Sequence, residues 1–186
     1  MFLNFITIFL ISFAISALLT PLIRFFATRN KLVVRPKDNR FHKKVTALLG
    51  GVGIFIAALI GFFLFVPLTK SIFVFLAGVT FIFFWGLADD FRPMRPHLKL
   101  LGQIIASCII IFFGISFHFT HYLWISYLVT IFWIIGITNA FNLLDNMDGL
   151  AAGTATICGI MIFITSLMMK NDGIGIIALI LAAATL

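Results

Sequence analysis

Charge is what this sequence lacks. Only 10% of its 186 residues are charged, glutamate is absent, and all six acids are aspartates. The two cysteines, Cys108 and Cys158, have no second cysteine or histidine at ligand spacing. That excludes a disulfide framework, and both are expected to be small buried hydrophobes. No low-complexity tract, internal repeat or flexible linker interrupts the chain. A soluble core has no need of so little charge, so the soluble classes fall away.

What remains is apolar: 62% of the residues are hydrophobic and the mean hydropathy is +1.20. Charge-free runs cover Met1–Ile23, Val45–Thr69, Ser71–Ala88, Leu100–Leu144, Gly149–Met169 and Gly173 to the end. A helix needs about 20 apolar residues to cross the hydrocarbon, and the fourth run is long enough for two. The expectation is an all-α, polytopic integral membrane protein with six full transmembrane helices and a truncated seventh. These form a single helical membrane domain over residues 1–186. The last run holds 14 residues and ends without an anchor. A helix stopping there would leave unpaired carbonyls in lipid, so the chain is expected to be the N-terminal part of a longer protein.

The first apolar run lacks a basic leader and is too long for a cleaved signal. Basic residues follow it, which predicts an outside N-terminus and a cytoplasmic first loop. Alternating spans then put eleven of the thirteen Lys and Arg inside, leaving Lys70 and Lys170 outside. A net charge of +7 on that face suits anionic lipid heads or phosphates and makes nucleic acid a poor partner. His118 and His121 fall in an outer aromatic belt and receive no function. Gly50, Gly51 and Gly53 open the second span, where close helix packing is expected.

The same alternation puts Asp38, Asp89, Asp90, Asp145 and Asp148 at cytoplasmic span ends. Asp89-Asp90 closes the third span, where two carboxylates oppose the helix dipole and each other. Arg92, Arg95, Lys99 or a divalent metal would offset them. Pro93 and Pro96 stop the helix and stiffen the loop. In the first loop, Arg40 and His42 with Lys43-Lys44 read equally well as a positive-inside anchor or as an anion site. The stretch NAFNLLDNMDGLAAG, 139–153, spaces Asn139, Asn142, Asp145 and Asp148 by three. Steps of three turn by about 300° on an α-helix, so the four would drift through about 180°. They could not share one ligand unless the segment breaks or tightens. Gly149 and Gly153 are expected to admit the next helix closely. Hard oxygen ligands beside basic groups suit Mg²⁺ and phosphates, and hence phosphoryl transfer.

NAFNLLDNMDGLAAG, GLADDFRPMRPHLKLLGQ and RPKDNRFHKKVTALLGG, in these places, resemble the polyprenyl-phosphate N-acetylhexosamine-1-phosphate transferases of glycosyltransferase family 4. The first stretch is more similar to the GlcNAc-type branch than to the muramoyl-pentapeptide branch. The resemblance implies transfer of N-acetylglucosamine 1-phosphate, or a related sugar phosphate, from a UDP-N-acetyl sugar to undecaprenyl phosphate. UMP is released at the cytoplasmic face of a bacterial inner membrane, as an early step of cell-envelope polysaccharide synthesis such as O-antigen or teichoic acid. It implies Mg²⁺, with Mn²⁺ as a substitute, and is compatible with a homo-oligomer.

By motif position, Asp89 and Asp90 match the family's catalytic pair. Asn142 matches an Asn near the metal, whose further Asp ligand would follow residue 186. Lys99 matches a Lys on substrate phosphate, while Asn139, Asp145 and Asp148 line the nucleotide side; Arg40 and His42 are the first-loop candidates for substrate binding. Val34, Val45 and Ala47 stand where the family often has an Asp and prolines.

Two other classes compete: a cation-coupled transporter using the aspartates, and a non-catalytic assembly protein. Cysteine-accessibility labelling is expected to place Asp89 and Asp145 at the membrane–water boundary; mid-membrane depth would favour the transporter. Asp90→Asn is expected to stop cell-surface polymer synthesis, and intact polymer would favour the assembly protein. The isolated 186 residues are expected to be inactive, which measurable sugar-phosphate transfer by them would overturn.

Overall fold

The structure is a computed structural model that describes residues 2–30, 33–34, 46–47, 49–118, 120–145 and 149–186. Among these residues it is all-helical apart from one two-residue ladder. The helices are α1 (Phe2–Arg29), α2 (Gly50–Phe65), α3 (Lys70–Phe91), α4 (Pro96–Phe112), α5 (Leu123–Leu144), α6 (Leu150–Met168) and α7 (Asp172–Thr185). β1 (Val33–Val34) and β2 (Thr46–Ala47) pair antiparallel, Val33 opposite Ala47, and close the neck of the first loop. Four helices, α1, α3, α5 and α6, are long and apolar enough to cross a membrane; α2, α4 and α7 are apolar but shorter. The charge-free runs overestimate α2 and α4 because they include turn residues that carry no charge, such as Pro67 and Gly114.

The outer surface is apolar. Phe112, Phe132 and Met168 are each at least 80% exposed, as suits a chain whose surroundings are hydrocarbon. Cys108 and Cys158 correct the expectation of burial: both point outward. In such a chain an apolar side chain gains nothing by turning inward, so hydropathy does not report which face is the core.

The chain packs as two compact units, Met1–Pro67 with Asp145–Leu186, and Leu68–Leu144. In the first, α7 touches α1, α2 and α6. Its Ile180, Ala182 and Ala183 are wholly buried. Small residues let the backbones approach. A Cβ on Gly61 would stand 2.6 Å from Ile180 Cγ2, and one on Gly159 would stand 2.8 Å from Ala182 Cβ. Hydroxyls supply the polar links: Ser16 Oγ donates to the Ala184 carbonyl at 2.6 Å, and Thr156 and Thr185 share a hydrogen bond of 2.9 Å. Gly53 meets Thr20, as close packing requires, whereas Cβ atoms on Gly50, Gly51, Gly149 and Gly153 would meet nothing within 4 Å. Close packing therefore does not explain Gly149. It caps α6 with φ 74°, a conformation that glycine adopts without strain.

In the second unit α4 lies between α3 and α5, touching both. Thr69 caps α3 by accepting from the Ile72 N–H, and Pro96 starts α4 where no N–H is needed. Gly102 lies under the Trp85 indole, leaving no room for a Cβ, and the indole N–H donates to the Leu98 carbonyl at 3.3 Å. Ala106 and Ser107 are fully buried.

Gly159→Ala is expected to cost about 1–3 kcal/mol, because its methyl meets a neighbouring helix. Gly153→Ala should stabilise by up to about 1 kcal/mol through helix propensity alone. Melting curves of the purified chain in detergent compare the two.

Candidate active site

Asp89 and Asp90 occupy the last turn of α3. Successive residues on a helix point about 100° apart, so the two carboxylates have different surroundings. Asp89 is 17% exposed and both of its oxygens are engaged. Oδ1 accepts from the Met94 backbone N–H at 2.7 Å, and Oδ2 pairs with Lys99 Nζ at 2.6 Å. The first bond folds the α3–α4 connection back onto the helix end. The second brings the ammonium of α4's first turn to the same place. Of the three cations expected to offset the acids, Lys99 is the one seen to do so at Asp89. Asp90 is exposed.

Asn139 and Asn142 lie in the final turns of α5, which stays a regular α-helix to Leu144. The break that the spacing predicts therefore falls after Asn142. Asp145 stands in a turn, and α6 begins only after the left-handed Gly149. Asn142 is exposed at this helix end. Asn139 is engaged with Gln103 of α4: its Nδ2 donates to Gln103 Oε1 at 2.9 Å, and Gln103 Nε2 donates back to Asn139 Oδ1 at 3.4 Å. Asn139 Nδ2 also donates to the Ile135 carbonyl at 2.9 Å. Asp145, exposed, belongs to the other unit. Arg40, His42 and Asp148 lie outside the described residues.

The structure thus brings Asp89 to Lys99 and Asn139 to Gln103, with α4 as the shared element. Gln103 was not singled out from the sequence, although it is the chain's only glutamine and follows Lys99 by four residues. A polar side chain one turn from a basic one, inside an apolar run, was the signal that could have found it. Counting charges passes over a neutral amide.

No three His, Cys, Asp or Glu groups stand together among the described residues. Asp90 and Asn142 offer a carboxylate and an amide oxygen at exposed helix ends. Each is a ligand type that Mg²⁺ accepts, since it keeps several waters and takes substrate phosphates with only one or two protein ligands.

The sequence model described as "Glycosyl transferase family 4" matches residues 72–186, from α3 to the end of α7. The chain belongs to glycosyl transferase family 4. Asp89, Asp90, Lys99, Gln103, Asn139 and Asn142 all lie in the part matched to that family, whereas Arg40 and His42 precede it. A Bacillus subtilis protein described as "probable undecaprenyl-phosphate N-acetylglucosaminyl 1-phosphate transferase" is 30% identical over 159 residues, 80% of this chain and 44% of that protein. The phospho-N-acetylmuramoyl-pentapeptide-transferase of Lacticaseibacillus paracasei is 34% identical over 176 residues, 78% of this chain and 54% of the relative. The undecaprenyl-phosphate alpha-N-acetylglucosaminyl 1-phosphate transferase of Thermotoga maritima is 28% identical over 168 residues, 86% of this chain and 52% of its own. The chain spans about half the length of these curated relatives.

Asp89→Asn keeps an acceptor for the Met94 N–H but loses the ion pair; Asp89→Ala loses both. Thermal melting should rank wild type above Asn and Asn above Ala. Each step should cost on the order of 1 kcal/mol, because the pair is only partly buried. Equal melting of Asn and Ala variants would show that the Met94 bond contributes nothing.

Proposed function

We propose that the protein transfers N-acetylglucosamine 1-phosphate from UDP-GlcNAc to undecaprenyl phosphate at the cytoplasmic face of a bacterial inner membrane. The first loop, the α3–α4 connection and the α5–α6 connection face the cytoplasm in this proposal, with the N-terminus outside. Support for the reaction class comes from family membership, and for the sugar from the relatives named for N-acetylglucosaminyl transfer. The observation that carries most weight is the closure of Lys99 on Asp89 in the matched segment. It sets an ammonium beside the acid pair at one helix end.

The reaction asks for charge neutralisation and alignment. An oxygen of the lipid phosphate forms a bond to the β-phosphorus of the nucleotide sugar. The bond from that phosphorus to the bridging oxygen breaks, and UMP leaves with the bridging electron pair. A phosphate monoester is largely ionised at neutral pH, so little proton removal is needed from the nucleophile. Lys99 has three N–H donors. It can keep Asp89 on one while offering others to a phosphate oxygen of the donor. Asp89 then holds the ammonium in place, and Asp90 is the group of the pair proposed to meet the lipid phosphate or take a proton from it. Mg²⁺, when bound, would offset the charge on the diphosphate; Asn142 is the residue proposed to hold it here, with Asp90 alongside. Asp145 and Asp148 are proposed for the nucleotide side, and Arg40 and His42 for phosphate at the first loop.

Membranes from cells expressing the chain within a protein of its relatives' full length, supplied with undecaprenyl phosphate and Mg²⁺, should release UMP from UDP-GlcNAc faster than from UDP-N-acetylmuramoyl-pentapeptide. Chelation should stop the release, and Asn142→Ala should slow it on the order of 100-fold. The opposite donor preference would move the protein to the pentapeptide branch, and chelator-resistant release would remove the metal from the proposal.

A further inference from the structure

Lys99 and Gln103 sit four residues apart on α4, hence on one face. Lys99 takes hold of α3 through Asp89, and Gln103 takes hold of α5 through Asn139. The amide groups of Gln103 and Asn139 lie head to head, each donating to the other's oxygen. Turning one amide over would set N–H against N–H and oxygen against oxygen, so the reciprocal pattern fixes both orientations. Gln103 is buried, and its backbone carbonyl accepts from the buried Ser107 hydroxyl at 2.8 Å. Asn139 uses its second Nδ2 proton on the Ile135 carbonyl, which fixes the side chain to its own helix. Both N–H groups of Asn139 are thus spent inside the protein, and its oxygen already accepts one bond. That is the inventory of a structural link rather than of a group awaiting a nucleotide.

We propose that Gln103 is a positioning residue that acts through Asn139. The paired amides hold the end of α5, and with it Asn142, against the α4 face that carries Lys99. One helical turn separates Gln103 from Lys99, and a little under one turn separates Asn139 from Asn142. The clasp therefore lies just inside two of the groups assigned to phosphate and metal. Among the described residues of α5, Ser126 and Thr130 are buried, and the Phe117 N–H donates to Thr130 Oγ1 at 2.9 Å; the amide pair is the link to α4 at the other end of the helix. A paired amide between two membrane helices is one of the interactions that specify one helix register over another. The catalytic consequence rests on the transferase function proposed above; the clasp itself does not.

The test uses Gln103→Ala, Asn139→Ala, the double variant, and the exchange variant Gln103→Asn with Asn139→Gln, which keeps both amides. Hydrogen exchange of the purified chain in detergent, followed by mass spectrometry, reads the segment 139–144. Each alanine variant should raise exchange there about tenfold, the double variant no further, and the exchange variant should recover at least part of the protection. In membranes carrying the protein at its relatives' full length, the alanine variants should lower kcat for UMP release on the order of tenfold. The KM for the nucleotide sugar should stay within about twofold, and the double variant should be no worse than the worse single one. Unchanged exchange in Gln103→Ala overturns the proposal. So does a raised KM in Asn139→Ala with none in Gln103→Ala, or losses that multiply in the double variant, since Asn139 would then act on substrate directly. If an alanine variant fails to fold, the exchange variant decides: protection at or below that of unfolded chain refutes the clasp. Should wild-type membranes carrying the protein at its relatives' full length release no UMP from either donor, the transferase function fails and the hydrogen-exchange arm still decides the clasp.

Discussion

In hydrocarbon every backbone polar group must find its partner within the protein, and most of this fold follows from that constraint. Helices satisfy their own backbones. The hydroxyls of Ser107, Thr130, Thr138, Thr156, Thr165 and Thr185 bond carbonyls one turn back in their own helices. With no hydrophobic gain from bringing apolar helices together, close approach at Gly61, Gly159 and Gly102 supplies van der Waals contact instead. Ionised groups are left with the helix ends. That is where Asp89, Asp90, Lys99 and Asp145 are found.

The acid pair shows how one local sequence gives two different groups. Adjacent positions on a helix leave Asp89 facing Met94 and Lys99, while Asp90 faces outward. Asp89 is therefore suited to shape: it ties down the α3–α4 connection and holds an ammonium. Asp90 is the more exposed of the two.

α4 is the shortest helix of its unit, yet the other two are both fastened to it. Lys99, Gly102, Gln103, Ala106 and Ser107 give it one face of small and polar contacts, with Trp85 closing over the glycine. Rearranging this face would disturb the acid pair and the asparagines of α5 together. A substitution there is expected to reach the chemistry without touching substrate.

Much was legible from residues alone. Scarce charge and long apolar runs pointed to the helices and the apolar exterior seen among the described residues, because hydrophobic length is a one-dimensional property. The three polar stretches pointed to the family because phosphoryl transfer needs particular residue types in order. The spacing of three across 139–148 asked for a break, since an unbroken helix would scatter those side chains; α5 ends at Leu144 and α6 starts at Leu150, with Asp148 outside the described residues. The break's position past Asn142 was not legible, because α5 keeps its backbone bonds until Leu144. The outward turn of Cys108 and Cys158 was hidden for another reason: hydropathy carries no sign of direction when the solvent is lipid. Only the tertiary structure decided that Asp89 pairs with Lys99 and that Asn139 closes on Gln103. These are meetings of side chains 10 and 36 residues apart. The sequence sets what each residue can bond; the packing of three helices sets which partner comes within reach.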